Sequence, residues 1–160
     1  MPIETCPIAA KLNELFFSEG AHMGLMWFDD LSEAQGTLAA VWELEQEFYN
    51  GGFLQYFQNS SGDRVPVICA ILERIGAHAV IPIVQRAIAL AGPDIPWADD
   101  EKRFYALAAL DRESKSALYH LGDEFSESLD DLNLLLFRYL RQHRDAFEAP
   151  EEFWTEGGDQ

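Results

Sequence analysis

The chain has 160 residues, of which 48% are hydrophobic and 12% aromatic, and it carries a formal net charge of −17. This size and apolar content predict one domain, residues 1–160, while the lack of a membrane-length apolar run or a secretory-type N-terminus predicts a soluble, cytoplasmic protein. The negative charge excludes direct binding to nucleic acid or anionic membranes and favours basic protein partners.

Helical periodicity dominates the chain and no segment alternates as a strand does, so the sequence predicts an all-α fold of about seven or eight helices. The first three predicted helices cover residues 7–18, 31–49 and 53–59. Ser32 and Gln35 have the spacing of a capping box at the start of the second helix.

The fourth helix is predicted to begin near residue 63. The later helices are predicted to cover residues 78–91, 100–110, 114–128 and 131–147. Pro66 and Pro82 fall in first turns, where proline is tolerated. Gly122 predicts a break near the middle of the 114–128 segment. The acidic tail, residues 148–160, is expected to fray.

One carboxylate stands out on the second helix, because Glu45 falls within the arc of its apolar residues. An ionised group there needs donors or a counter-charge. Glu45 is either a general acid/base or metal ligand, or a structural carboxylate that binds donors within residues 50–59. No carboxylate or histidine three or four residues on completes a metal site, which favours the structural role. Glu43 and Glu47 are placed on the opposite, solvent-facing side of the helix.

Standard catalytic patterns are missing from the sequence. The four histidines are scattered, and neither a nucleophile-elbow motif nor a phosphate-binding glycine loop occurs. Gln55 and Asn59 lie four residues apart and form either a small ligand site or hydrogen bonds at a helix end. The sequence therefore predicts no cofactor and no metal.

The acids are concentrated towards the two ends of the chain. Residues 1–63 hold ten acids and one base, residues 64–122 hold seven of each, and residues 123–160 hold eleven acids and three bases. Ordered carboxylates on helix faces can offer a DNA-binding protein a field like that of duplex DNA, although acidity also serves solubility alone. The candidate partner-binding acids are Asp29, Asp30, Glu33, Glu43, Glu47, Asp123, Glu124, Glu127, Asp130 and Asp131.

The most distinctive motif joins the second helix to the third, in residues 45–62. At least one of Gly51 and Gly52 is predicted to have positive φ, because one helix must end there and the next begin at once. The motif residues are Glu45, Asn50, Gly51, Gly52, Phe53, Gln55, Asn59 and Gly62.

This motif resembles the signature of the DNA-mimic-protein-like family, and the resemblance extends over about residues 35–147. It implies an all-α domain, dimerisation and no cofactor. The surface acids are not part of the motif, so the mimic role depends on the charge of this chain.

Three functions are therefore compared. The leading hypothesis is a non-enzymatic interaction protein that binds a basic, DNA-binding protein by imitating DNA charge. The first alternative is an immunity or inhibitor protein against a basic toxin such as a nuclease. The second is an enzyme or small-ligand binder centred on Glu45, Gln55 and Asn59, which a deep polar pocket at these residues would favour.

Overall fold

The computed structural model describes residues 7–23, 28–128 and 130–156. These residues form seven α-helices and no β-strand, which confirms the predicted all-α fold. The helices are α1 (Pro7–Met23), α2 (Glu33–Gln58), α3 (Val65–Arg74), α4 (Ile81–Ala91), α5 (Asp100–Ala108), α6 (Arg112–Ser126) and α7 (Leu132–Gln142). Short 3-10 helices lie at Phe28–Asp30, Ser60–Arg64, Arg144–Ala146 and Glu151–Trp154. None of the described helices is long and apolar enough to cross a membrane.

The residue contacts divide the chain into two compact units. The first unit takes the residues up to 42 and those from 132 onward, so it contains α1, α7 and the first part of α2. The second unit takes residues 43–131 and contains the rest of α2 together with α3 to α6. The single domain expected for residues 1–160 stays a prediction.

Several helix starts follow directly from local sequence. Gln35 N donates to Ser32 Oγ at 3.1 Å and Ser32 N donates to Gln35 Oε1 at 3.0 Å, so the predicted capping box at the start of α2 is confirmed. Pro66 and Pro82 lie in the first turns of α3 and α4, as predicted. Asp99 caps α5 by accepting from the backbone N–H of Lys102.

In the second unit, α4 packs against both α3 and α6, and aromatic side chains fill the core beside them. The ring centroids of Phe48 and Phe125 lie 4.3 Å apart, and those of Phe48 and Phe53 lie 5.1 Å apart. The predicted break at Gly122 is wrong, because α6 runs unbroken through it. A Cβ at this position would lie 3.3 Å from the Phe48 ring, so the glycine lets α6 approach this ring closely.

In the first unit, α1 packs against α7, and Leu12 and Leu15 are buried. The Trp42 ring stacks on Phe16 with centroids 3.8 Å apart, while Trp42 Nε1 donates to Asn13 Oδ1 at 2.8 Å. Stacking and the indole hydrogen bond together fix the position of this ring.

The tail does not fray over residues 148–156, contrary to the sequence-based expectation. Trp154 is only 3% exposed, and its ring packs near those of Phe137 and Phe147. Lys11 Nζ donates to the carbonyl of Phe153 at 2.9 Å. A buried tryptophan and a long-range hydrogen bond hold this segment in place, whereas residues 157–160 lie outside the described part of the chain.

Candidate functional site

The motif centres on a kink inside α2, where two helical segments meet. Gly51 (φ −162°, ψ 18°) and Gly52 (φ 77°, ψ −169°) both leave helical angles, and the positive φ of Gly52 confirms the prediction for this pair. The angles of Gly52 belong to a region that only glycine occupies readily. Asn50, directly before the pair, has no positive φ, so the left-handed conformation falls on Gly52.

Three side chains meet across the kink at one carboxylate. Gln55 Nε2 donates to Glu47 Oε2 at 2.8 Å, and Asn59 Nδ2 donates to the same oxygen at 2.7 Å. The placement of Glu47 on a solvent face is therefore wrong, since the chain after the kink folds its amides onto this half-buried side chain. The side-chain amides of Gln55 and Asn59 bind Glu47 and not Glu45, which is half-buried.

Glu43 likewise does not lie on a free solvent face. It is half-buried and forms an ion pair with Arg64. Burial raises the pKa of Glu43 above its usual value, although the charge and hydrogen bond of Arg64 act in the opposite direction. Glu43 and Glu47 therefore stabilise the motif rather than offering free charge to a partner.

Sequence analysis missed the most enclosed charged group, Arg103 on α5. Its side chain is 0% exposed. It donates to the carbonyl oxygens of Phe57, Asn59 and Trp97. It also forms ion pairs with the carboxylates of Asp63 and Asp100, which complete its set of acceptors.

The position of Arg103 has a weak signal in the sequence. Arg103 and Leu107 are four residues apart and both are buried, whereas the neighbouring Phe104 is 46% exposed. The available signal is an arginine on an apolar helix stripe with the acids Asp99 and Asp100 just before it.

Gly62 is explained by the same arginine. A Cβ at this position would lie 2.0 Å from the carbonyl oxygen of Phe57 and 2.6 Å from Arg103 Nε. Only glycine allows the backbone to pass this close, so the turn that ends the motif can enclose the guanidinium.

The candidate acids on and near α6 differ in what they do. Asp130 Oδ2 accepts from the backbone N–H groups of Ala79 and Val80 at 2.8 and 3.0 Å, so it anchors the start of α4. Glu124 pairs with Arg86. Three acids of this group are exposed besides Glu124: Asp123, Glu127 and Asp131.

The remaining candidate acids belong to the first unit. Asp29 and Asp30 are exposed in the 3-10 helix Phe28–Asp30. Glu33 is also exposed, and its Oε1 accepts from the Tyr139 hydroxyl at 3.4 Å. If the acids imitate DNA, the acids of residues 1–63 and 123–160 are expected to share one continuous face, and this stays a prediction.

Two cavities occur in the second unit. One, of about 480 Å³, lies between residues 48–54 of α2 and one face of α6; we call it the kink groove. The other, of about 550 Å³, lies between α4 and α6 and has the Arg86–Glu124 pair in its wall. Neither is lined by Glu45, Gln55 or Asn59. Residues 7–23, 28–128 and 130–156 contain no group of three or more His, Cys, Asp or Glu that could hold a metal ion.

These observations define an all-α protein whose acids divide into fold-stabilising and exposed groups around a glycine kink. The chain matches the model of the DMP19-like protein family over residues 29–143, well over half of its length, and it belongs to that family. This family is that of DNA mimic protein 19-like proteins, as the motif resemblance indicated. Comparisons with curated proteins and with solved structures found no match.

Proposed function

We propose that this protein is a non-enzymatic interaction protein that occupies a basic, DNA-binding protein by imitating the charge of duplex DNA. The observation that carries the proposal is the exposed acidic stripe at the C-terminal end of α6, formed by Asp123 and by Glu127, the residue that caps this helix. Within the described residues, neither carboxylate forms an ion pair with a Lys, Arg or His. Their charge is therefore available to a partner.

The spacing of this stripe suits the comparison with DNA. Residues four apart on a helix share a face and lie about 6 Å apart along its axis. Each strand of duplex DNA carries one charge per rise of about 3.4 Å along the axis of the duplex. The stripe and a DNA strand thus both place successive negative charges a few ångströms apart along an axis.

The alternative of an enzyme or ligand site at Glu45, Gln55 and Asn59 receives no support from the local geometry. The amides of Gln55 and Asn59 are both engaged by Glu47, which suits the structural role weighed for them. An immunity protein against a basic toxin would use similar exposed acids. It differs from the proposal in the identity of its partner, which the experiment below determines.

Dimerisation is a further part of the proposal and derives from the family alone. A dimer would double the number of acidic stripes that one partner meets. Light scattering at several protein concentrations measures the mass in solution and decides between monomer and dimer.

The experiment captures partners from the source cell on the immobilised protein and then measures the purified pair. We expect a DNA-binding protein whose binding weakens steeply with salt and is competed by duplex DNA. The variant Asp123→Asn/Glu127→Gln should slow association. The matched control Asp94→Asn/Glu101→Gln also removes two negative charges, from exposed positions elsewhere in the second unit, and should change association little.

Three results would contradict this function. They are capture of a nuclease toxin that the protein inactivates, binding that is indifferent to salt and DNA, and equal slowing by the two double variants. The first would support the immunity alternative, and the second would leave the acids with a role in solubility only. The third would show that net charge affects association without a special role for the stripe.

A further inference from the structure

The kink groove has an apolar floor. Phe48, Phe53 and Leu118 line it and are each no more than 6% exposed. Gly122 adds no side chain to the wall and brings α6 close to Phe48. The groove is thus a preformed feature, fixed on one side by the kink and on the other by α6.

Two tyrosines stand at the groove with much of their surface in solvent. Tyr49 is 63% exposed and Tyr119 is 76% exposed, and both line the cavity. Aromatic faces that remain exposed at a cavity favour cations, because the ring carries negative charge density on its face.

Acidic groups surround the same rim. Asp123 lines the groove. Partial burial raises the pKa of Tyr49, and the nearby charges of Glu45 and Asp131 raise it further, which places both carboxylates within electrostatic reach of this ring. The first helical segment of α2 also ends here at Asn50, and the carbonyl end of a helix carries partial negative charge.

Among the described residues, Lys115 is the one basic side chain in the groove wall, and it already has a hydrogen-bond acceptor. Lys115 Nζ donates to the carbonyl oxygen of Ala108 at 2.7 Å, so its charge is held at the connection between α5 and α6. The aromatic rim and its carboxylates are therefore left to accept a cation from outside the chain.

We propose that the kink groove binds an arginine side chain presented by a short segment of the basic partner, with its guanidinium against Tyr49, Tyr119 and Asp123. Arginine fits better than lysine because its planar guanidinium is weakly hydrated and stacks on aromatic rings. A second copy of this chain is a poorer occupant of an acidic rim than a basic partner, because it has 28 acids and only 11 Lys and Arg residues. The dimer proposed above would therefore use another surface. The inference rests on the proposed function only for the basic character of the partner.

The test uses the whole protein and two blocked pentapeptides, Ala-Leu-Arg-Leu-Ala and its counterpart with neutral citrulline in place of arginine. Binding is followed through the NMR shifts of the Gly52 and Gly122 amides, at physiological salt to suppress distant charge effects. We expect the arginine peptide to shift both signals saturably and the citrulline peptide to bind at least about fivefold more weakly.

The helices α5 and α6 offer a matched set of variants. Tyr119→Ala and Asp123→Asn alter an exposed tyrosine and acid four residues apart on α6, and each should weaken arginine-peptide binding about two- to fivefold. Tyr105→Ala and Glu101→Gln alter a similarly spaced exposed pair on α5, outside the groove, and should leave binding unchanged. Urea unfolding of every variant checks that folding is retained.

Four outcomes would overturn the proposal. They are equal binding of both peptides, equal weakening by the α5 and α6 variants, no saturable shift at the groove glycines, and a peptide-independent dimer that Tyr119→Ala abolishes. If the arginine peptide binds as expected but partner binding does not depend on salt or DNA, the groove proposal is supported and the proposed mimicry of DNA is rejected. If the peptide fails and DNA still competes for the partner, the groove alone is rejected.

Discussion

Acids at two places in the second unit count equally in the net charge, yet their environments differ. Near the kink, Glu43 and Glu47 are half-buried, and both are hydrogen-bonded to side chains within residues 55–64. At the C-terminal end of α6, Asp123 and Glu127 are exposed and belong to no ion pair among the described residues. Net charge therefore gives the balance of acids and bases over the whole chain. Burial and hydrogen bonds within the protein decide which carboxylates another protein can contact.

The difference has a physical cause. A half-buried carboxylate loses hydration and is stable only if donors replace the water it gives up. For Glu43 and Glu47 these donors are the side chains of Arg64, Gln55 and Asn59, which follow the kink in the chain. Asp123 and Glu127 are exposed to solvent and need no such donors.

The largest expected effect concerns the buried cation on which the motif depends. Arg103→Met should lower the free energy of unfolding by about 3–5 kcal/mol, because it leaves the carbonyl oxygens and carboxylates around the guanidinium without their donor. Urea denaturation followed by circular dichroism measures the change. Arg86→Met removes an exposed ion pair with Glu124 and should cost under about 1 kcal/mol. Equal losses of unfolding free energy in the two variants would contradict the role of Arg103 as the buried cation on which the motif depends.

The kink itself gives the next largest effect. Gly52→Ala should destabilise the protein by about 1–3 kcal/mol, because a Cβ is strained at φ 77° and ψ −169°. Asn50→Ala, two residues away and exposed, has an ordinary φ and should change stability by less than about 0.5 kcal/mol. Thermal unfolding of both variants is the measurement, and a tolerated Gly52→Ala would contradict the account of the kink.

The comparison between acids is sharpened by two variants that change the net charge equally. Glu47→Ala should cost about 1–2 kcal/mol of stability, since the Gln55 and Asn59 amides lose their shared acceptor. Glu127→Ala should leave the urea midpoint nearly unchanged and should instead slow association with the partner. If both variants destabilise alike, then the division of the acids into two groups is wrong.

The smallest effect lies in the first unit and depends on pH. Hydrogen bonding to Arg138, with the charges of Arg138 and Arg141, lowers the pKa of Glu156 below its usual 4.5. Because the folded-state pKa is the lower one, its stabilising contribution is present above pH 4.5 and is lost as the pH falls through the folded-state value.

The indole NMR signal of Trp154 should report this loss as a change in the packing of the tail. Glu156→Gln serves as the control, because its side chain does not titrate. The same acid midpoint in both proteins would show that another group controls the transition.

Sequence patterns predicted much of the fold because they report local rules. Three confirmed features depend on neighbours within a few residues. They are the capping box at Ser32, the prolines in the first turns of α3 and α4, and the positive φ of Gly52. Gly122 failed as a helix stop for the opposite reason. Its role is set by a phenylalanine far away in sequence, which no local pattern shows.

The candidate site was predictable only in part. The motif around Gly51 and Gly52 was found, but helix spacing alone chose Glu45 as its central carboxylate, whereas Glu47 accepts the amides of Gln55 and Asn59. The buried cation next to the motif, Arg103, was missed. Spacing places a side chain on a face of one helix. It does not show what the chain brings to that face after a kink.

The sequence by itself determined the all-α class, the kink, the family and the acidic total, because each depends on composition or on short-range geometry. Only the tertiary structure decided which acids bind within the protein and which remain exposed. It also decided that an arginine is buried and that a groove forms beside the kink. Burial and hydrogen bonding arise from contacts between distant segments, and these contacts alone separate a structural carboxylate from one that a partner can reach.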